Sequence, residues 1–372
     1  MSGMILKQLT LRRYRNLVDV KVTWNAHFNV LYGRNAQGKT NLLEAISLLG
    51  HLKSFRGARG QELISHNEED GRIEARVLRN NVMHSLEIGL QKNGRHPSVN
   101  GKKVEKLSDF LGYLRTVIFA PEELGRIKGY PAGRRALLDR AILQADGTYL
   151  DRVQQYERIL RQRNRLLKEQ VDDRQLEPWT DALIKSGSRI RHDRLLYLKR
   201  FEKYLQQAFA EISNGQESVE LHYSVTADVL TKLNDLFAES LKRVAEREKR
   251  LGVTLSGPHR DDLEILIDGK SLRTFGSQGQ QRSFLLAFKA AQVLDLENAL
   301  QDTPILLLDD LASELDSHRQ EGFFKFLMQR SGQVFLTSAQ QSLLTAAVRQ
   351  KASYYQVHQG MVTAISPERG LI

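Results

Sequence analysis

The sequence predicts an α/β protein whose body is divided by a long helical insert. Strand and helix patterns alternate before residue 130 and again after residue 245, and a glycine-rich loop joins one apolar strand to a helix. Between these parts, residues 133–212 carry apolar side chains at helical spacing almost throughout. We therefore expect 1–130 and 246–372 to form one α/β body, and 131–245 to form a basic helical lobe.

Composition limits the chemistry that this chain can perform. It has 372 residues, 41% of them hydrophobic, and no cysteine. The lack of cysteine excludes a disulfide scaffold, cysteine-ligated zinc, iron–sulfur clusters and thiol catalysis. No apolar run approaches the roughly 20 residues that cross a bilayer, and the first ten residues lack the pattern of a secretory signal. A cytoplasmic protein with no membrane partner is expected.

The charge of the chain is positive and unevenly distributed. Lys and Arg number 55 against 44 Asp and Glu, a net charge of +11, and residues 131–210 hold 17 basic and 11 acidic residues. Such an excess favours an anionic partner such as nucleic acid. The arginines at 161–165 either cover a solvated helix face or face DNA, and the sequence leaves both open.

The first part of the body is expected to consist mainly of strands. Alternation and short apolar runs predict strands at 4–11, 18–22, 28–32, 72–78, 85–90 and 117–119. Asn100-Gly101, between Val99 and Val104, is typical of a two-residue hairpin turn. A helix is expected after Thr40, because apolar residues recur there at three- and four-residue spacing.

Helices dominate the insert, and strands alternate with helices after it. The predicted helices of the insert are 134–143, 150–170 and 177–212, with a corner over 172–178. Beyond the insert, the predicted strands are 263–267, 305–308 and 334–336, and the predicted helices are 280–300 and 317–330. Asp268-Gly269 is a second hairpin turn.

A phosphate-binding loop follows the strand at 28–32. Residues 33–40 fit the pattern G-x-x-x-x-G-K-[ST], in which glycines let backbone N–H groups wrap around phosphate oxygens. Lys39 would neutralise the β- and γ-phosphates of ATP, and Thr40 would place its hydroxyl on Mg²⁺. The predicted phosphate-binding residues are Gly33, Arg34, Asn35, Ala36, Gln37, Gly38, Lys39 and Thr40.

A carboxylate for the metal is expected at the end of the strand at 305–308. Four apolar residues followed by Asp309 and Asp310 are typical of a buried parallel strand that ends at the ligand-binding edge of a sheet. Asp309 would hold Mg²⁺ and its water, and Asp310 would orient the attacking water. Glu122 and Glu123 are the next candidates for that second role.

A second helix start has the features of an anion site. Ser277-Gln278-Gly279-Gln280 opens the helix at 280–300 with a hydroxyl and a flexible glycine. The alternative is a simple N-cap. Two phosphate-binding helix starts in one chain suggest that the second serves a nucleotide bound to a neighbouring subunit.

In their order along the chain, these motifs resemble those of the ABC-type ATPases and, more narrowly, of the RecF family of bacterial recombination mediators, relatives of SMC heads. The resemblance extends from about residue 4 to about residue 340, and its further segments are 12–17, 53–56, 119–124, 133–139, 257–262 and 310–316. It implies an ABC-type P-loop ATPase head with a mixed sheet core and an inserted helical lobe.

The resemblance also implies residue roles. Ser277 and Gln280 would contact the γ-phosphate of ATP held by the opposite subunit, and Asp316 would lie in a loop that crosses the dimer interface. Asp309 would be the Walker B acid. The residues implied to line the phosphate loop are Asn35, Gly38 and Asn41, and Arg15 and Asn16 either contact the nucleotide or are turn residues.

The implied function is an ATP-dependent DNA-binding protein of replication and recombinational repair. ATP would join two heads face to face, slow hydrolysis would release them, and the switch would help to load recombinase at gapped or single-stranded DNA. The implied protein partners are RecR and RecO. DNA phosphates would bind a surface built partly from residues 131–210, with little sequence preference.

Two departures from the family pattern bear on mechanism. Asp310 stands where most ABC ATPases have Glu, which fits a slow switch better than a fast motor. Residues 337–340 stand where ABC transporters have a His, so a hydroxyl is the candidate replacement for the imidazole. Two other functions stay open: a transporter's nucleotide-binding subunit, and a DNA scaffold that binds ATP without hydrolysing it.

His259, with Asp261 and Asp262, has the residue types of a metal site. We favour a packing role, because only one of the ten histidines lies in this segment and a predicted strand follows immediately.

Overall fold

Three sheets and a set of long helices make up the chain, which a computed structural model describes over residues 3–227, 229–310, 317–330, 332–339 and 351–365. In chain order the strands are β1 (Ile5–Tyr14), β2 (Leu17–Thr23), β3 (Phe28–Tyr32), β4 (Asp70–Arg79), β5 (Val82–Gln91), β6 (Gly94–Val99), β7 (Lys102–Lys103), β8 (Thr116–Phe119), β9 (Val219–Tyr223), β10 (Leu263–Ile267), β11 (Lys270–Ser271), β12 (Ile305–Leu308), β13 (Val334–Ser338), β14 (Ala352–His358) and β15 (Met361–Ile365).

The helices include both short connectors and long elements of the insert. In chain order they are α1 (Lys39–His51), α2 (Leu124–Lys128), α3 (Pro131–Ala145), α4 (Tyr149–Lys168), α5 (Asp173–Ser213), α6 (Leu230–Leu251), α7 (Leu272–Phe275), α8 (Gln278–Leu300) and α9 (Ser317–Met328). The boundary expected near residue 245 falls inside α6.

The central sheet has the strand order β15-β14-β3-β13-β12-β8, and all its strands are parallel except β15. Strands β8 and β12 are buried at every position, as their apolar sequences require of a sheet covered on both faces. Because β3 and β12 are parallel, the loop after residue 32 and the acids after residue 308 lie at the same edge of the sheet. This edge is where the predicted nucleotide site must form.

An antiparallel sheet covers one face of the central sheet. Its order is β2-β1-β4-β5-β6-β7, and the Asn100-Gly101 turn joins β6 to β7 as predicted. Alternate residues of β1, such as Leu9 and Leu11, are fully buried and pack in one core with α1. A second core on the other face of the central sheet contains α3, α5 and α8. The α/β class is therefore confirmed.

The corner predicted over 172–178 is wrong in its extent. Helix α5 begins at Asp173, and the Asp172 side chain accepts a hydrogen bond of 2.8 Å from the backbone N–H of Gln175. This N-cap starts the helix before Pro178, which lies inside α5. The turn from α4 is consequently confined to residues 169–172.

Most arginines of the helical lobe are bound to carboxylates. Of the thirteen arginines between 131 and 210, ten form ion pairs within the described part of the chain. Those whose guanidinium groups are almost fully buried are Arg134, Arg163, Arg191 and Arg194, paired with Asp262, Glu248, Asp261 and Asp139, respectively. The charge surplus of this lobe is thus largely structural.

The segment at 257–262 belongs to this network. A hydrogen bond of 2.6 Å joins His259 Nδ1 to the Tyr156 hydroxyl. Asp261 accepts two hydrogen bonds from the Arg191 guanidinium and one from the Tyr223 hydroxyl. Burial lowers the pKa of His259 to about 4, so its ring is neutral near pH 7. These contacts agree with the packing role that we favour for this segment over a metal site.

Candidate nucleotide site

The phosphate loop is a tight turn fixed by close neighbours. A Cβ atom on Gly33 would lie 2.2 Å from the carbonyl oxygen of Val357 in β14. Gly38 has φ +116°, and a Cβ atom there would lie 2.9 Å from the Leu17 side chain. Both glycines are therefore required by this backbone path, as the motif predicts.

Lys39 is nearly buried at the first position of α1. Its Nζ atom donates to the backbone carbonyls of Gly33 and Arg34, the second at 2.8 Å. Burial lowers the pKa of the Lys39 ammonium, while the charges of Asp309 and Asp310 oppose that effect. The phosphate loop thus binds the ammonium of its own lysine. Gly33 and Arg34 contribute to this contact through their backbone carbonyls and not through side chains.

Asp309 joins the two halves of the motif. The Thr40 hydroxyl donates to Asp309 Oδ1 at 3.0 Å, and the Thr337 hydroxyl donates to the same oxygen at 2.9 Å. Burial raises the pKa of Asp309, the two hydroxyl bonds oppose this, and the charges of Glu122 and Asp310 add to it. Within the described residues Asp309 has no ion pair, and the Lys39 ammonium acts on it without direct contact.

Asp310 has a left-handed backbone with φ +47°, a conformation that is uncommon for residues other than glycine. Its N–H donates to the Thr337 hydroxyl at 2.8 Å. Thr337 therefore fixes both acids at once. The hydroxyl expected to replace an imidazole at residues 337–340 contacts the two aspartates; Gln340 lies outside the described residues.

A cavity of about 530 Å³ opens at this edge of the central sheet. Its lining residues are Asn16, Asn35, Ala36, Gly38, Lys39, Thr40, Asn41, Arg56, Pro121, Glu122, Asp309, Asp310 and Thr337. Most of the predicted ATP and Mg²⁺ residues are thus brought together in one cavity. Asn16, Arg56 and Thr337 also line it, and Arg56 was not among the residues expected there.

Gln37 faces away from the cavity and is held by the β14–β15 hairpin. Its carbonyl accepts from the N–H of Gly360 and from Asn16 Nδ2, and its side-chain oxygen accepts from the N–H of Gln359. Asn16 Oδ1 in turn accepts from Asn41, whose own oxygen accepts from Arg56. These amides make the rim of the site a continuous hydrogen-bonded chain.

Arg15 and Glu123 turn out to be structural. Arg15 forms two 2.9 Å hydrogen bonds to the buried carboxylate of Glu44 and does not line the cavity. Glu123 is fully buried and pairs with Lys289 at 2.7 Å and with Arg140 at 3.3 Å. Of the two glutamates proposed as alternatives to Asp310, only Glu122 therefore faces the cavity.

Ser277 and Gln280 do not line this cavity. They form a capping box at the start of α8, and Gln280 Nε2 also donates to Glu217 at 2.7 Å. Phe275, just before them, is 71% exposed. The structure thus realises the N-cap, while a contact with a nucleotide on another subunit stays a prediction. Asp316 lies outside the described residues.

The donor set suits a magnesium ion. Thr40 and Asp309 offer a hydroxyl and a carboxylate, which are the hard oxygen ligands that Mg²⁺ prefers. Within the described residues, no group of three or more His, Asp or Glu side chains is placed to hold a metal. An ion here would therefore need phosphate oxygens and water to complete its coordination, which fits a nucleotide-bound metal.

Sequence comparisons place these features in a known family. A family model for the RecF/RecN/SMC N-terminal domain matches residues 5–363. The DNA replication and repair protein RecF of Syntrophotalea carbinolica is 44% identical over 357 residues, 96% of this chain and 98% of that protein. The protein of the same name from Geotalea daltonii is 39% identical over 365 residues, 96% of this chain and 100% of that protein.

Solved structures agree with this result. The RecF–ATP structure of the RecFOR pathway superposes with a TM-score of 0.89 at 32% identity, over 98% of this chain and 100% of that one. The Smc head domain of Pyrococcus furiosus gives a TM-score of 0.55 at 16% identity over 99% of this chain and 98% of that one, a likeness of fold alone. The ABC-type ATPase head is thereby confirmed. In the described residues, no helix has the length and apolarity to span a membrane.

Proposed function

Since this chain belongs to the RecF family and is an ATP-binding protein of DNA replication and repair, we propose that it works as an ATP-driven dimerisation switch on DNA. The observation that carries this proposal is the junction of the phosphate loop with Asp309 through the Thr40 hydroxyl. A transporter subunit is not favoured, because the relatives match over nearly the whole chain and are DNA repair proteins.

In the proposed site, ATP phosphates lie in the loop of residues 33–40. Lys39 exchanges its two carbonyl bonds for phosphate oxygens, and the N-terminus of α1 faces the same charges. Thr40 and Asp309 hold the Mg²⁺ ion. When bound, that ion neutralises charge on the phosphate oxygens.

Hydrolysis, in this proposal, depends on two acids of different type. Asp309 is buried and fixed by hydroxyls, so it serves the metal. Asp310 is exposed at the cavity wall and orients the attacking water, and its short side chain keeps turnover slow. Glu122 lines the same cavity and is the second candidate for that task. Asp310→Asn should slow hydrolysis without weakening ATP binding.

Dimerisation would complete the site from outside. Ser277, at the start of α8, does not line the nucleotide cavity of the same chain, and the nearby Phe275 is exposed. A second head placed face to face would bring Ser277 and Gln280 against the γ-phosphate. The pathway partners proposed from the family name are RecR and RecO, together with DNA at gaps or single strands.

ATP binding is tested by Lys39→Met, which keeps the volume and removes the charge. Loss of a charge-assisted contact of about 2–4 kcal/mol predicts ATP binding weaker by about 30- to 1000-fold. The measurement is equilibrium binding of a fluorescent ATP analogue. Lys53→Met is the matched control, because Lys53 is exposed and does not line this cavity. Equal affinity for ATP in parent and Lys39→Met would overturn the assignment of the loop.

The switch is tested by Ser277→Arg. We expect ATP affinity of the monomer to stay near that of the parent, while dimerisation with ATP and Mg²⁺ is lost in sedimentation experiments. ADP lacks the γ-phosphate and should not dimerise either protein. A Ser277→Arg protein that still dimerises with ATP would remove the role of the α8 start and leave only an ATP-binding head.

A further inference from the structure

A basic cleft lies next to the nucleotide site and takes no part in it. Its cavity measures about 610 Å³ and is lined by the loop at 53–60, the β5–β6 turn, α2 and α3. Half of its lining residues are cations, and among the described residues no acid lines it. These cations are Lys53, Arg59, Lys92, Arg95, Arg126 and Arg140. We refer to this set as the basic cleft.

Three of these arginines hold the floor of the basic cleft. Arg95 donates to the carbonyl of Leu52, Arg126 donates to that of Phe55 at 2.8 Å, and Arg140 donates to that of Ser54 at 3.3 Å. Each guanidinium has five N–H donors, so these bonds leave others directed to the cavity or to solvent. Burial lowers the pKa of Arg95 and of Arg140. At Arg140 the charge of Glu123 opposes this effect and the charge of Arg126 adds to it.

The remaining cations of the basic cleft are exposed and scarcely compensated. Within the described chain, neither the Lys53 ammonium nor the Arg59 guanidinium forms an ion pair; Glu62 accepts only from the backbone N–H of Arg59. The Lys92 ammonium has only the exposed Glu69 at 3.9 Å. The contrast with the helical lobe is marked, since most arginines there carry an ion pair. These three cations are therefore available to an anion from outside, whereas Arg140 is already paired with the buried Glu123.

We propose that the basic cleft binds the sugar–phosphate backbone of DNA. That the polyanion is DNA rests on the proposed function. The inference places the DNA contact at the basic cleft and not on the exposed helices of the helical lobe. Among the residues that the structure describes, the lining has no aromatic side chain on which a base would stack and no acid that would accept from a base amine. Recognition is thus directed to phosphates and is independent of sequence.

The test removes two exposed cations from different elements. Arg59→Gln/Lys92→Gln is compared with Arg161→Gln/Arg165→Gln, which removes the same charge from the helical lobe, where both arginines form exposed pairs. Binding of a gapped DNA duplex is measured by fluorescence anisotropy with ATP at several salt concentrations. For the cleft variant we expect affinity about tenfold lower and a salt slope smaller by about 2, with the lobe variant near the parent.

The outcomes separate the proposals. If the parent binds DNA and the cleft variant binds it equally well, or no worse than the lobe variant, the basic cleft is not the site, while the proposed function stands. If the parent binds no DNA under any of these conditions, both this inference and the DNA role fail. Fluorescent-ATP binding by every variant shows that the nucleotide site is intact.

A second variant guards against loss by indirect effects. Gly94 lines the basic cleft, its φ is outside the left-handed region, and no atom lies within 4 Å of the place where a Cβ would be. Gly94→Glu therefore adds a negative charge without crowding the fold. It should weaken DNA binding at least as much as the loss of two cations, whereas Gly94→Gln should bind as the parent does. Equal DNA affinity of Gly94→Glu and Gly94→Gln would overturn the proposal.

Discussion

Asp261 and Asp309 are both buried carboxylates, and their surroundings differ. Asp261 packs against the helical lobe, where it receives two hydrogen bonds from the Arg191 guanidinium and one from the Tyr223 hydroxyl. At the edge of the central sheet, Asp309 receives two hydroxyl bonds and has no ion pair among the described residues. One charge is neutralised by the protein itself, and the other is available to a cation.

The same distinction separates the two basic regions. The helical lobe has more arginines, and most of them are paired with acids. In the basic cleft, four of the six cations have no ion pair within the described residues, while Lys92 and Arg140 pair with Glu69 and Glu123. Burial or abundance of charge therefore does not locate a ligand site in this molecule. Both proposed ligand sites instead contain charges that have no ion pair within the described residues.

The largest effect is expected for Asp261→Asn. Removing one member of a buried ion pair leaves the Arg191 guanidinium without its counterion, which costs about 3–5 kcal/mol of unfolding free energy. Urea denaturation measures this loss. Asp309→Asn is the matched control and should cost less than about 1 kcal/mol, since an amide oxygen still accepts from the two hydroxyls. Equal losses would show that the two carboxylates are compensated alike.

Thr337→Val should have a smaller effect on stability and a clear effect on turnover. The change keeps the shape, removes the donor to Asp309 and leaves the Asp310 N–H without its acceptor, a cost of about 1–3 kcal/mol. We expect ATP hydrolysis to slow while ATP affinity stays within a few-fold of the parent. Thr337→Ser retains the hydroxyl and should restore turnover; if it does not, Thr337 is only a packing residue.

The pH dependence of stability should have opposite signs in the two regions. Burial raises the pKa of Asp309, so its contribution to stability is present at low pH and is lost as the pH rises through that raised value. Burial also acts on Asp262, yet the hydrogen bonds and charge of Arg134 lower its pKa overall. The contribution of Asp262 is therefore present above the ordinary range near pH 4 and is lost as the pH falls below it.

Denaturation of each Asp→Asn variant beside the parent, across this pH range, measures both contributions. The effect of Asp262 should be the smaller one, because its side chain is 34% exposed and solvent screens it. Differences of the same sign at both positions would contradict the assignment.

The smallest effect is expected on the exposed face of the lobe. Arg161 forms a pair of 3.8 Å with Glu157 one helical turn earlier, and both side chains are more than half exposed. Arg161→Gln should change the unfolding free energy by no more than about 0.5 kcal/mol. A loss comparable to that of Asp261→Asn would mean that surface pairs of the lobe also support the fold.

Much of the site could be predicted from sequence because its residues are consecutive. The phosphate loop is a local pattern, and Asp309 ends an apolar run, so both were identified without knowledge of the fold. For Thr337 the sequence predicts only a hydroxyl near this edge, because its bonds to Asp309 and Asp310 depend on β12 and β13 being neighbours. Ser277 and Gln280 open a helix as the sequence predicts, and their contact with a nucleotide on a second subunit stays a prediction.

Long-range pairing explains what the sequence could not reveal. The sequence shows how many arginines lie in 131–210 but not which acids they bind. The acidic partners of Arg163 and Arg191 lie 85 and 70 residues away along the chain. Strands β14 and β15 were not predicted, although Gln359-Gly360 between Val357 and Val362 has the form of a hairpin turn. The basic cleft draws its cations from four separate segments, so no local window shows it.

The position of β3 has a consequence for how the chain is made. Both of its neighbours, β13 and β14, come from the last forty residues, and the hairpin at 359–360 holds Gln37 of the phosphate loop. During synthesis the motif of residues 33–40 leaves the ribosome early, long before the strands that shape it. A nascent chain that ends before Val334 would carry the full ATP-binding motif and lack both flanking strands, so competence for nucleotide arises only when the protein is nearly complete.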